Sequence, residues 1–550
     1  MTQTITDLLD VALAPVQLSK FIRLNAPTRT AYRPPRAAVG LTLLPDDVLL
    51  LVLSLIGVDD ILALRMTAKR FFSVTNLRWV WSDALRRHVI DKRLPFPSPN
   101  ADLKSLSAKE LEVRALHAAR FQQNWCSPAP RPRGGIEFQA RHMETDESAA
   151  LLEAHPHPIS QVLFPSGHNG ELVLTVEKAR IVCWEVPFGG SEAFMVAERS
   201  LPDAAIGGVV VNDEPGSPAM LVVGYTTNIT HEPIPGYPLQ ALPQRITVEA
   251  WALDKFHGCF EVLRGDTMIG NPSRLMPLSR LSGEYALIGD PVALWNWKHP
   301  EQTFLLSYGN LPSPVPDCVL AVQLVRGHLL IVRQSHIQLL PAPRFDAAGQ
   351  ALPHTTAAAF VHLPDAAKEA VIVVHKPTAQ ERDDWQFDPV TVLMRVEANG
   401  AHQIRKYDIL PLPKVRVGGA DGPAARCIPC VFPKAAAAAI PVPPSCSGLT
   451  VGRNGKGFWM ETRNVTWGHS TFPARCIVGF DVTSGVCAAA GVPHWKNDLV
   501  LRKKELFVSR VGTGEVEKRK YRIATTSLED TVGRIAIGGR DGKVQILDLA

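Results

Sequence analysis

This chain has very little cysteine: nine residues in 550, an odd number and scattered. That excludes a disulfide framework and fits free thiols in a reducing compartment, so the expected location is cytoplasmic or nuclear. An excess of one charge is also missing. Fifty-eight basic side chains against 53 acidic ones leave a formal +5, which for this length does not predict nucleic-acid binding. No apolar run is long enough to span a bilayer. The longest, 48–58, is bracketed by Asp46-Asp47 and Asp59-Asp60, so no membrane partner is expected. Residues 11–45 hold Lys20, Arg23, Arg29, Arg33 and Arg36 but no acid. An organelle presequence could look like that, yet Asp7, Asp10 and the prolines suit an amphipathic one poorly, and a disordered tail over 1–40 is the expectation. The same aspartates stand where a secretory signal would be basic then apolar, so the sequons at Asn228 and Asn464 carry no weight.

The usual marks of catalysis are absent too. There is no nucleophile elbow, no dinucleotide fingerprint after a strand and no paired carboxylates that stand out. Gly452–Gly457, GRNGKG, fails phosphate-loop spacing and reads as a turn before a strand. Cys427 and Cys430 make a lone CxxC, whereas zinc wants four ligands and a redox pair wants a helix after it; a loop-like stretch comes instead. His155 and His157 alternate with prolines, as in a loop. The basic segments 502–505 and 517–522 interleave with acids and read as solvated strands or as a contact for an acidic partner. No cofactor and no metal are expected, and the chain reads as non-catalytic.

The chain does carry an apolar hairpin at 44–85, LPDDVLLLVLSLIGVDDILALRMTAKRFFSVTNLRWVWSDAL. Pro45 opens a helix, since a proline in the first turn forfeits no intrahelical bond. The run 48–58 is apolar almost all round, so it must be covered on more than one side, more than so small a module can provide. Asp59-Asp60 offers a cap for a second helix containing Ile61, Leu62 and Leu64, and Phe71, Phe72, Trp79 and Trp81 add large apolar area.

In order and spacing these residues resemble the F-box family: Leu44-Pro45, the acid Asp47, Val48-Leu49, Val52-Leu53, Ile56, Lys69, and the closing Val80-Trp81 with Leu85. Ala68 stands where Cys is common and Phe71 where Trp is common. The segment 101–125 has apolar residues at helical spacing and reads as one or two helices. Its Leu-Ser-x-x-Glu-Leu-Glu start (Leu106–Glu112) and its Asn124-Trp125 end resemble the segment after the F-box in mushroom-type fungal F-box proteins. Trp125 would either bolt the helical part to the β-domain or simply pack the helix end.

Residues 127–135, SPAPRPRGG, form a linker by composition. Beyond them helical periodicity disappears. Forty-five prolines and 39 glycines punctuate short apolar runs, as in an all-β domain. Strand pairs are expected within 171–186, 220–254, 285–297, 328–340, 370–397, 457–482 and 533–549. The last has Asp541-Gly542 as its hairpin turn. A strand, an Asp-Gly turn and a strand ending in a large apolar residue and an acid resemble a WD-repeat blade. Trp184, Trp251 and Trp295 end comparable strands, while the Gly-His half of that signature is mostly missing. The expectation is an all-β, propeller-like domain of six or seven irregular blades over 135–550, behind a small all-α module at 41–93 and a connecting helix and linker at 94–134. Residues 135–141, GIEFQAR, would supply the outer strand that the last blade lacks.

The F-box resemblance implies a substrate-recognition adaptor of a Skp–cullin–F-box ubiquitin ligase. The residues it points to are Leu44, Pro45, Val48, Leu49, Val52, Leu53, Ile61, Leu64, Phe71 and Trp81, some facing a Skp-type adaptor and some the module's own core. The propeller would hold an unknown target protein. A propeller interaction scaffold without a ligase role and, further off, a propeller enzyme are the alternatives.

Overall fold

The computed structural model describes residues 40–92, 94–127, 130–140, 158–189, 192–202, 204–227, 244–270, 278–288, 293–305, 317–343, 345, 359–375, 385–412, 429–467, 470–482, 486–487, 494–495, 504–508 and 523–550. The expected tail over 1–39, His155, His157, Asn228, Cys427 and 517–522 lie outside them.

Helices come first: α1 (Asp46–Leu55), α2 (Val58–Arg65), α3 (Lys69–Thr75), α4 (Arg78–Leu85) with a π-helical turn Arg86–Ile90, and α5 (Ala108–Cys126). Asp46 and Asp47 lie in the first turn of α1, where exposed N–H groups favour negative charge. The cap of α2 differs from the expectation. Gly57 takes the cap position, and Asp60 reaches back from the first turn to accept the Gly57 N–H at 3.3 Å. The segment 101–125 makes one helix, α5, started by a reciprocal pair: Ser107 N–H donates to Glu110 Oε2 at 2.8 Å, and Glu110 N–H donates to Ser107 Oγ at 3.3 Å.

All the sheets lie beyond α5. Among the described residues five stand apart with four or five strands each, not the six or seven blades expected, and a two-stranded ladder pairs Val486–Cys487 with His494–Trp495. Four of them run in chain order over 278–305, 319–362, 367–441 and 447–508. The fifth, the closing blade, is discontinuous in sequence. Eight further strands over 161–270 form one double sheet. It consists of two four-stranded antiparallel units whose outer strands, Phe194–Ser200 and Cys259–Gly270, meet in parallel at Glu198 and Cys259.

Apolar cores fill the spaces between consecutive sheets and lead right round the domain. Leu174 and Ile181 face Leu221 and Trp251 within the double sheet. Trp251's neighbours Val248 and Ala250 face Ala286 and Trp295 of the next blade. Leu287 and Leu294 meet Leu329 and Ile331, Val332 and Leu339 meet Val392 and Met394, and Leu393 and Ile404 meet Trp459 and Phe480. Inner strands such as Leu172–Glu177 and Arg534–Gly539 therefore bury both faces, which explains their continuous apolar runs in sequence.

The closing blade consists of Ile523–Glu529, Arg534–Gly539, Lys543–Asp548 and, from the other end of the domain, Gly134–Gln139. Gly134–Gln139 pairs antiparallel with Lys543–Asp548 in unbroken register from Gly134↔Asp548 to Gln139↔Lys543, as the sequence led us to expect. Ile136 is buried against Val162, Val173 and Ile546. Arg540, Asp541 and Gly542 form the preceding hairpin turn, with Gly542 at φ +77°.

Helix α5 crosses from one core to another. Leu111, Ala115 and Ala118 pack among the other helices. Phe121 and Trp125, both fully buried, pack with Phe458, Ile477, Ile535 and Leu547 of the β-domain. Of the two readings of Trp125, the bolt is correct. Gly533 makes room for it: its φ is +69°, and a Cβ there would lie 2.6 Å from the Phe121 ring.

Loss of the closing strand exposes the edge of Lys543–Asp548 and opens the core beneath it. Ile136→Asp is expected to cost about 3–5 kcal/mol, from a lost buried aliphatic side chain and a buried carboxyl. Calorimetry checks this, and an unchanged transition midpoint contradicts closure by this strand.

Candidate docking face

The helical module is packed around one ion-pair cluster. Arg65 of α2 donates to Glu112 of α5 at 2.9 Å, and to the Thr75 hydroxyl and carbonyl of α3 at 3.0 Å each. Its guanidinium lies 5.3 Å from the Trp81 ring centroid, and Trp81 Nε1–H donates to the same Thr75 carbonyl at 2.7 Å. Both charges are nearly buried. Losing either would strand the other.

Around this cluster the ten residues singled out from sequence fall into three groups. Leu49, Leu53, Ile61, Phe71 and Trp81 are buried in the module's own core. Leu44, Val52 and Leu64 are half-buried, and Pro45 and Val48 are exposed. The outward row of α1 is Val48, Leu51 and Leu55, spaced i, i+3, i+7. Leu51 is 61% and Leu55 65% exposed, against 1% for Leu49 and 3% for Leu53 on the opposite side. A 3-10 turn, Leu41–Leu43, precedes α1 and exposes Leu41 and Leu43, the latter by 70%. Met66, Phe72, Leu77 and Trp79 are exposed as well. Leu51 and Leu55 were not singled out in sequence, because an all-apolar helix gives no period from which to pick its outer row.

The seat that holds α5 on the β-domain is polar at its rim. Asn124 Nδ2 donates to the Leu549 carbonyl at 2.7 Å, and His117 Nε2 meets the Val532 carbonyl at 2.9 Å, with its ring edge on Phe188. Burial holds the His117 imidazole below its ordinary pKa. Lys456 Nζ donates to Gln122 of α5 at 2.9 Å and to Asp481 at 3.1 Å. Arg534, fully buried, donates to Asp548 at 2.6 Å and to the carbonyls of Gly170, Val186 and Pro187, while stacking 3.7 Å from the Phe188 ring. It thus joins the closing blade, the double sheet and the helix seat. The GRNGKG turn is part of this seat: Asn454 N–H donates to Asp530 Oδ2 at 2.6 Å. Burial, then the neighbouring Glu529, raise the Asp530 carboxyl to about 7.

The sites of doubtful chemistry resolve structurally. Cys430 is buried between two blades, its thiol raised by burial to about 12, and Cys446 belongs to the next core along. No group of three or more His, Cys, Asp or Glu side chains able to hold a metal exists among the described residues. Asp317, Ser335 and His336 cluster, but both the Asp317 carboxylate (2.8 Å) and the Ser335 hydroxyl (2.9 Å) meet His336 Nδ1. A proton relay needs them on opposite ring nitrogens, so the trio ties two strands together. Among the described residues no helix is long and apolar enough to cross a membrane.

No family model and no curated protein matches the sequence. Solved structures similar in shape include the C-terminal WD40 domain of Sif2, at TM-score 0.38 and 9% identity over 72% of this chain and 96% of that one. The WD40 domain of SCAP from fission yeast matches at TM-score 0.38 and 9% identity, over 71% and 82%. The propeller-like architecture of this chain rests on its own strand pairing and closure.

Asp530 makes the seat sensitive to pH. Its folded value of about 7 lies above the ordinary 3.8, so its stabilising contribution is complete at acid pH and is lost as pH rises through about 7. Asp530→Asn should therefore lose less melting temperature than the parent between pH 5 and pH 8. Equal losses would show that this carboxyl does not titrate in that range.

Proposed function

We propose that the helical module is an F-box-type surface that docks a Skp-type adaptor and, through it, a cullin ubiquitin ligase, and that the propeller-like domain recruits a target protein. One observation carries this reading. Helix α1 is apolar on both sides, its inner row sealed in the module core and its outer row of Val48, Leu51 and Leu55 open. Exposed apolar rows of this kind mark interaction sites in stable proteins, and this row sits in the segment whose order of residues resembles the F-box. In this reading the chain catalyses nothing. It tethers a target near a ubiquitin-charged enzyme and so raises its effective concentration there. The ordered α5 junction transmits the position of the docked adaptor to the β-domain.

An interface of this class buries on the order of 1,200–2,000 Å² and depends on a few central anchors. Leu51→Glu with Leu55→Glu should abolish capture of a purified Skp-type adaptor by the full chain while leaving its melting curve in place, since neither side chain supports the core. Leu49→Asp should instead unfold the module. Undiminished capture by the double variant, or no capture by the parent chain, would count against the ligase role; the latter would leave an interaction scaffold built on the β-domain.

A further inference from the structure

We infer that Arg70 is a positioning residue for the docking face: its guanidinium holds the Leu41–Leu43 turn, with its exposed Leu41 and Leu43, in a fixed conformation at the start of α1. The inference rests on the adaptor-docking reading above and names the residue that shapes its edge.

Arg70 lies in the first turn of α3. Its Nη1 donates to the Thr42 carbonyl, and its Nη2 donates to the Leu44 carbonyl at 2.6 Å and to Asp46 Oδ1 at 2.7 Å. One planar fork thus binds acceptors on both sides of Pro45, where the chain itself has no N–H to contribute. Among the described residues little else holds the turn. None of its three residues is buried. Its own backbone bonds are Leu43 N–H to Gly40 O at 2.8 Å and a long Leu44 N–H to Leu41 O at 3.3 Å. Leu44, half-buried against the module core, is the first apolar anchor after it.

Arg70 is itself more than a third exposed, and its carboxylate partner Asp46 more so. An ion pair that open adds little to folding stability. What the fork supplies is order: it fixes a turn that would otherwise have to be ordered when a partner binds, and ordering at that moment weakens association. Lysine cannot replace it, because a single ammonium lacks the fixed fork.

The test uses the full chain and a purified Skp-type adaptor, with Arg70→Met, Arg70→Lys, Asp46→Asn and the Leu51→Glu/Leu55→Glu variant. Affinity is measured by calorimetry and amide exchange by mass spectrometry on peptides covering 40–46. Arg70→Met and Arg70→Lys should each weaken binding about tenfold through lost preorganisation, leave the melting temperature unchanged, and speed exchange only in that peptide. Asp46→Asn, which spares both carbonyl bonds, should change binding about twofold at most on the scale of an exposed ion pair. Parent-like affinity in Arg70→Met, alongside lost binding in the Leu51→Glu/Leu55→Glu variant, would overturn the inference while leaving the docking reading standing. An Asp46→Asn loss equal to that of Arg70→Met would overturn it in favour of simple charge. No adaptor binding by the parent would overturn the docking reading and the role of Arg70 in it, whereas unchanged exchange in Arg70→Met would overturn the positioning on its own.

Discussion

A sheet edge with unpaired backbone groups is costly and adhesive, and this chain removes one by returning its first strand to its last blade. Gly134–Gln139 pairs along its whole length with Lys543–Asp548. Because the two strands come from opposite ends of the β-domain, the pairing closes the ring and anchors the chain just after the helices. The end of α5 then has one available place, beside the closing blade, where Asn124 reaches the Leu549 carbonyl. The position of the helical module is set by that closure.

The seat beneath α5 combines apolar and polar bonding. Phe121 and Trp125 supply apolar burial, which is strong but not directional. Direction comes from Arg534, Lys456, His117 and Asp530, each holding a carbonyl, carboxylate or amide from a different segment. Buried polar groups of this sort add little net stability over well-packed apolar ones, but leaving any of them without its partner is costly. A helix seated this way carries its outward faces in a fixed direction, which a docking surface requires.

Much of this was legible in the sequence. The proline start, the aspartate brackets and the leucine density placed the first two helices within a few residues, whereas Lys69–Thr75 and Arg78–Leu85 were not read as helices. The Asp-Gly turn and the GIEFQ segment announced the closing blade. Other features were hidden. Phe194–Ser200, Cys259–Gly270 and Ala401–Pro411 mix polar and apolar residues, so their strand character depends on which neighbour covers them. The parallel meeting of two outer strands, which leaves five separate blades and a double sheet, has no sequence mark, because it depends on where two edges come to lie. The GRNGKG turn reads as a plain loop and proves to be part of the helix seat.

By itself, then, the sequence determined that a short apolar helical module precedes a β-domain whose final strand needs a partner from elsewhere in the chain. Composition and local spacing suffice for that, since helix starts, hairpin turns and apolar runs are set by near neighbours. Only the tertiary structure decided which leucines of α1 face outward and that α5 joins two cores. It also decided that Arg70 reaches across to the turn before α1. A helix apolar all round has no intrinsic inside, so its open side exists only once the other helices have taken the rest.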